Sequence, residues 1–449
     1  MHRVVEGLAG DYDVAVLGGG FAGATASRRL TRAGLRVVII EARDRLAGRM
    51  WSERDYFDGH TVEWGGAFML DRDTYPLTWN EIDEHGLALE WGSLEQTTLI
   101  WLSGGTRRTG PIPVPIDELA SLERLVVRIS QLASRIDPGL PIEEQDVSEL
   151  DVPWPSLLSD IELGVHTREL FEAHIVTLAG DSWDIPSALP LLHAIAKSGS
   201  VTDATFFAAP YDTPMARTLG PQLADGTGAL FDAVISGSSA DVVLGVKVTA
   251  VRDDGDSVRI ETTAGELTVA AVVSALPIGV LSDVQFSPEL SGELKALAAG
   301  GVAAQAEKVT AFVSNCPVPF YAHGIPPEGG FATASTTFHE GDRAIVVGFT
   351  SAVGVLDVND TAAVEKSLQH YVPGIKVEAV AWHDWAGDEL ARGTWSYLRP
   401  GQTTIRPKAR RARGRVTFAG SDFDSRLGVE GALHTGGLAA EEVLGILGR

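Results

Sequence analysis

The first apolar cluster of this 449-residue chain is a short β-branched run at residues 12–17 (YDVAVL), which stops at three consecutive glycines, Gly18, Gly19 and Gly20. Short apolar runs bounded by glycine read as buried strands. From residue 21 to about residue 32 the apolar positions take helical spacing, and residues 36–40 (RVVII) return to a strand pattern. A strand, a glycine turn, a helix and a second strand are therefore predicted in that order. Farther along, residues 120–132 and 186–197 predict helices, with polar, proline-rich loops at 111–115 and 152–155. Strands are predicted at 241–251, 258–261 and 269–276, the last ending in Pro277. The chain closes on a strand at 416–420 and an amphipathic helix in GVEGALHTGGLAAEEVLGIL. The pattern contains no internal repeat, low-complexity tract or long linker, so its organisation reads as interleaved rather than tandem.

The opening unit has a chemistry of its own. Gly18 permits a tight turn, Gly20 lets a pyrophosphate approach the backbone, and Gly23 lets the helix pack closely on the strand. Ala22 lies among them in the first turn of that helix, whose N-terminus would face the phosphates. Glu41 stands at the end of the second strand, about 20 residues past the glycines, where a carboxylate binds ribose hydroxyls. Glycine clusters are more often plain turns, but their place between strand and helix, with the acid at this distance, predicts a dinucleotide site. The acid argues against a 2′-phosphate, and so against NADP.

Composition narrows the class. With 45% hydrophobic and 21% charged residues the chain can bury a large core, and its length predicts two domains. A single cysteine, Cys316, excludes an intramolecular disulfide and fits a reducing compartment. The N-terminal residues lack an apolar signal core, and no run approaches the ~18 apolar residues of a membrane helix, so a cytoplasmic location is expected. A net charge of −24 argues against nucleic acid and allows mild steering of cations, though solubility alone explains it. No Cys/His set has metal spacing, His339–Glu340 lacks the second histidine of HExxH, and GxSxG is absent. No second GxGxxG follows for a nicotinamide.

The residues after Glu41 choose the cofactor. Ala42, Arg43, Asp44, Arg45, Leu46, Ala47, Gly48 and Arg49 resemble the EARDRxGGR segment of flavin-containing amine oxidases, with Ala47 in place of a usual glycine. VVSALPIGVL near Pro277 and VTFAGSD at 416–422 resemble the same family's later strands, so the resemblance spans nearly the whole chain. It implies an α/β fold: a Rossmann-like FAD-binding domain of the glutathione-reductase type, assembled from residues 1–80, 226–300 and 400–449. An interleaved α+β substrate-binding domain takes 81–225 and 301–399. It further implies that Arg43, Gly48 and Arg49 meet the pyrophosphate or flavin, and that Gly65, Gly66, Ala67 and Trp385 belong to the cofactor surroundings. Val248 would meet adenine. Gly420 and Ser421 lead to Asp422, which would accept a hydrogen bond from the ribityl chain, and the Val429 amide would face the flavin C2 carbonyl. Ordinary alternatives stand beside these: an N-cap for Asp422 and structural packing for Trp385.

Three residues are expected at the reacting end. Lys308 alone reads as a solvated strand residue, but the resemblance gives it a water near flavin N5 and a part in oxygen reduction. Glu63, in TVEWGGAF, reads as a loop cap or, by resemblance, as a carboxylate that meets the substrate amine. Trp395 reads as packing or as one wall of an aromatic cage, whose other wall falls on Gly428, so that the tyrosine is absent and the site opens for a bulkier or branched amine. Thr394 occupies the position of a flavin-linking cysteine in some members, so non-covalent FAD is expected. Phe68, Met69 and Trp183 are candidate pocket residues, with core packing the plainer reading. The expectation is an FAD-dependent oxidase that takes hydride from the carbon α to an amine nitrogen, giving an imine and hydrogen peroxide. Its partners would be a small amine and O2, with no nucleic acid or membrane, and a homodimer is one expected assembly. An L-amino acid oxidase would need an arginine for the carboxylate, for which Arg217 or Arg343 could serve. A natural-product amine or amide dehydrogenase of the same fold and an FAD-bound interaction module are further alternatives.

Overall fold

The computed structural model describes residues 2–67, 72–91, 97–204, 221–426 and 428–449. At its centre is a six-stranded sheet in the order Arg3–Val4, Asp241–Val243, Val37–Ile40, Val14–Leu17, Ala271–Ser274, Val416–Phe418. Every pairing in it is parallel. Parallel strands are covered on both faces, and accordingly every residue of Val14–Leu17, Val37–Ile40 and Ala271–Ser274 is buried. One face is covered by the helices Phe21–Arg32, Gly226–Ser236 and Gly428–Ile446. The opposite face packs on a four-stranded sheet, Gly265–Val269, Val258–Thr262, Val248–Asp253 and Gln285–Ser287, and on the helix Gly292–Gly300.

A seven-stranded mixed sheet forms the second layer system, in the order Lys376–Trp382, Lys308–Ser314, Arg343–Thr350, Phe331–Glu340, Phe320–Gly324, Thr98–Ser103, Thr106–Thr109. The helices Leu119–Ala133, Val165–Ala179 and Leu189–Ser198 pack with Trp101 and Trp154 in a core beside it. The architecture is α/β with a Rossmann-like sheet and an interleaved α+β part.

Two predicted strands divide. Residues 241–251 form Asp241–Val243 in the parallel sheet and Val248–Asp253 in the four-stranded sheet. Gly245, at φ +70°, turns the chain between them, and this turn bonds back to the first unit, Gly245 N–H to the Arg43 carbonyl at 2.8 Å and Val246 N–H to that of Glu41 at 3.0 Å. Residues 269–276 split in the same way at Ala270, between Gly265–Val269 and Ala271–Ser274. A continuous apolar run shows burial but not the point at which the chain changes sheets.

Candidate active site

A cleft runs along the ends of the parallel strands, from Glu41, Ala42 and Val248 to Thr394, Trp395 and Gly428. Its first wall is the glycine turn. Gly18, at φ +97°, could not carry a side chain without strain, and its Cβ would stand 2.9 Å from the Ala275 carbonyl oxygen. Gly23 is not in the cleft wall; its place is structural, because a Cβ there would stand 2.1 Å from the Gly18 carbonyl oxygen. Gly20 caps the helix Phe21–Arg32 with no side-chain acceptor, so the first amide groups point toward the cleft unsatisfied by a cap. Gly20 faces Gly48 across a gap that both leave open, a Cβ on Gly20 being 3.9 Å from the Gly48 Cα. Glu41 is buried, and its two oxygens accept hydrogen bonds from the amides of Gly19 (2.7 Å) and Arg43 (2.8 Å). The carboxylate thus clamps the glycine turn while its remaining lone pairs face the cleft.

The arginines divide by role. Arg49 pairs with Asp422 at 2.7 Å and reaches Ser421 at 3.3 Å, while its buried Nη1 has no partner among the described residues. The second Asp422 oxygen accepts the Ile278 amide at 3.1 Å. Arg43 lines the cleft with its stem, but its guanidinium is held by Asp388 at 2.9 Å and lies over Trp385. Arg45, which no sequence signal singled out, stacks on Trp51 at 4.5 Å and donates to the carbonyls of Leu46 and Gly48, both at 3.0 Å. Burial lowers its pKa to about 10. The turn it holds includes Ala47 at φ +74°, where the family segment has glycine; a non-glycine residue there costs roughly 1–2 kcal/mol.

Lys308 is not in the cleft wall; its buried ammonium donates to the carbonyls of Glu63 (2.7 Å) and Gly65 (2.6 Å), the latter next to the cleft-lining Gly66, and burial lowers its pKa to about 8. Lys308 lies opposite Phe349 across the sheet, and Phe349 meets Trp395 edge-on at 5.7 Å. The Trp395 indole N–H is fixed to the Leu178 carbonyl at 2.8 Å, which aims the ring along the cleft wall. Phe349 is an aromatic neighbour that the sequence did not reveal, because its register opposite Lys308 exists only in the folded sheet. Thr394 also lines the cleft, and its buried hydroxyl has no partner among the described residues.

Several candidates stand elsewhere. The Glu63 carboxylate accepts from Thr227 N–H (2.6 Å), Thr227 Oγ1 (2.8 Å) and Ser52 Oγ (2.8 Å). It therefore caps the helix Gly226–Ser236 and is not among the described residues of the cleft wall. Burial raises its pKa, opposed by Lys308 and these donors. Gly65 allows close backbone contact, since a Cβ would stand 1.9 Å from the Arg49 carbonyl oxygen; Gly66 lines the cleft and Ala67 does not. Trp385 gives its indole N–H to the Trp64 carbonyl at 2.9 Å and packs outside the cleft wall. Val248, Gly420, Ser421, Asp422 and Val429 all line the cleft. Trp183 meets Phe171 edge-on at 6.3 Å in the helical core, and Arg343 forms an exposed ion pair with Asp58 at 2.7 Å. Phe68, Met69 and Arg217 lie outside the described residues. Among the described residues no cluster could hold a metal ion, and no helix is long and apolar enough to cross a membrane.

A parallel sheet whose glycine turn, helix N-terminus and strand-end acid share one cleft defines a dinucleotide-binding oxidoreductase fold. The chain belongs to the flavin containing amine oxidoreductase family, whose model matches residues 21–444. It is similar to pseudooxynicotine dehydrogenase of Pseudomonas sp., with 30% identity over 442 residues covering 95% of this chain and 85% of that protein. With (S)-6-hydroxynicotine oxidase of Paenarthrobacter nicotinovorans it shares 29% over 441 residues, 96% of this chain and 99% of that one. Putrescine oxidase of Kocuria rosea is 27% identical over 475 residues, covering 97% and 95%. Among solved structures, wild-type putrescine oxidase bound to putrescine superposes with a TM-score of 0.80 at 21% identity, over 97% of this chain and 99% of that one.

Proposed function

We propose that the protein is an FAD-dependent oxidase that removes hydride from the carbon α to the nitrogen of a small amine, yielding an imine and, with O2 as acceptor, hydrogen peroxide. The observation that carries this reading is the continuity of the cleft from Glu41 to Trp395. One end suits ribose and phosphate; the other brings an aromatic wall and places a buried lysine behind it. The chain's residues fit FAD on three counts: the gap between Gly20 and Gly48, the unpartnered Arg49 Nη1 and the unpartnered Thr394 hydroxyl. Glu41 would hold the ribose, the amides after Gly20 and Arg49 the phosphates, Asp422 the ribityl chain, and the Val429 amide the pyrimidine edge. When bound, the flavin supplies the hydride-accepting chemistry.

The protein's own part is to bind, desolvate and place charge. Trp395, backed by Phe349, would offer an apolar face that excludes water from the substrate carbon. Lys308, anchored by two carbonyls, holds a positive charge that is sensitive to pH near 8 and would steady the negative charge developing on oxygen. Residues 1–80, 226–300 and 400–449 would make the cofactor portion, and 81–225 with 301–399 the substrate portion. Relatives named as oxidases and as dehydrogenases make the acceptor the point to test. Amines that bleach the flavin without air, followed by recolouring in air with peroxide release, are expected; no bleaching by any amine or amino acid overturns the reading. Recolouring only with an added dye would replace O2 by another acceptor. Acid precipitation should leave the yellow chromophore in the supernatant, since Thr394 offers no thiol for a flavin thioether. Colour in the pellet would overturn that point.

A further inference from the structure

Gly428 lines the cleft in a left-handed conformation, φ +60°, at the start of the helix Gly428–Ile446. The atom nearest to the position of a Cβ on Gly428 is the Tyr75 hydroxyl oxygen, at 3.7 Å. Tyr75 comes from a distant part of the chain, as the residue before the helix Pro76–His85, yet its place is tightly set. The Glu430 carboxylate, two residues past Gly428, accepts hydrogen bonds from the Leu77 amide (3.1 Å), the Thr78 amide (2.9 Å) and the Thr78 hydroxyl (2.9 Å). One buried carboxylate thereby locks the Pro76–His85 helix start to the Gly428 turn.

Tyr75 is 6% exposed and belongs to the same buried core as Val429, Trp79 and Phe21; it stands behind Gly428 rather than in the cleft wall itself, and its hydroxyl makes no hydrogen bond among the described residues. Burial, reinforced by Glu430, holds the phenol protonated. Among the described residues, the hydroxyl's approach to the cleft is by way of Gly428, which offers no side chain. Resting on the amine-oxidase reading above, we propose that Tyr75 is a specificity-determining residue whose hydroxyl hydrogen-bonds a second polar group of the amine substrate at the Gly428 gap. The favoured substrate class is then an amine with an apolar body that also carries a hydroxyl, carbonyl or ring nitrogen. A site built to satisfy such a group discriminates against the analogue that lacks it.

The test uses the flavin-loaded protein without air and reads binding from the perturbation of the flavin absorption band. The probes are benzylamine and its 2-, 3- and 4-hydroxy derivatives. In the unaltered protein at least one hydroxylated amine should bind roughly tenfold more tightly than benzylamine, about the strength of one neutral hydrogen bond. Tyr75→Phe, which keeps the ring, should retain flavin and erase that preference. Overturning results are an unaltered protein that shows no preference, a preference that survives Tyr75→Phe, or a Tyr75→Phe protein that loses flavin, which would make the residue structural. Bands that shift without ever bleaching would sink the oxidase reading while leaving the binding ratio to judge Tyr75.

Discussion

Two glutamates at strand ends, the buried Glu41 and the half-buried Glu63, show how differently the cleft and its surroundings are built. Each accepts backbone amide hydrogen bonds, from Gly19 and Arg43 in one case and from Thr227 in the other. Glu41 does so while lining the cleft, so clamping the turn and facing a ligand are one act. Glu63 spends its side chain on a helix start and contributes to the reacting end through its main-chain oxygen, which receives Lys308. At the end proposed for the nucleotide, backbone shape makes the site. At the end proposed for the substrate, the backbone is a scaffold on which side chains from separate strands are hung.

That contrast can be broken, and the largest effect is expected at the nucleotide end. Gly23→Val should abolish flavin retention, because any Cβ meets the Gly18 carbonyl at 2.1 Å and the helix must move off the strand; flavin absorbance of the purified protein per chain is the measurement, and normal loading would refute the shape argument. Lys308→Met should slow reoxidation by O2 about 100-fold, the lower range for a positioned proton or charge donor, with a much smaller change in anaerobic bleaching. The reverse pattern in stopped-flow traces would move Lys308 out of oxygen chemistry.

Lys308 also predicts a pH signature. Its pKa is about 8 in the fold against an ordinary 10.5, so between those values the unfolded chain binds the additional proton and stability should rise with pH. The slope is at most ~1.4 kcal/mol per unit. Denaturant titrations at pH 8 and pH 10 should show this gain in the unaltered protein relative to Lys308→Met; equal changes in both would remove it. The smallest effect should come from Glu63→Gln, which weakens the cap on Thr227 and lowers stability by roughly 1–2 kcal/mol while flavin reduction stays within about twofold. Slowed reduction at unchanged stability would instead make Glu63 a substrate contact.

The same contrast explains what the sequence made legible. The glycines, Glu41 and the apolar strand runs could be read because local spacing dictates their conformation: a turn between strand and helix is a property of neighbours. Phe349 and Tyr75 were invisible because their meaning lies in register and in a contact across 353 positions. Arg45 escaped notice for a related reason, being one of several arginines in the segment and distinguished only by its stack on Trp51. The partners of Glu63, Ser52 and Thr227, could not be read from its neighbours in sequence either, because they come from a hairpin strand and a remote helix.

The parallel sheet receives its last strand, Val416–Phe418, beside Ala271–Ser274, and the helix after it packs directly on Phe21–Arg32. Synthesis runs in the opposite sense to this assembly. A nascent chain displays the glycine turn long before it has Asp422 for Arg49 or Glu430 for the Pro76–His85 helix. These two distant segments therefore act as a clasp that closes late, and a fragment clipped ahead of residue 416 should emerge colourless however well its first unit folds.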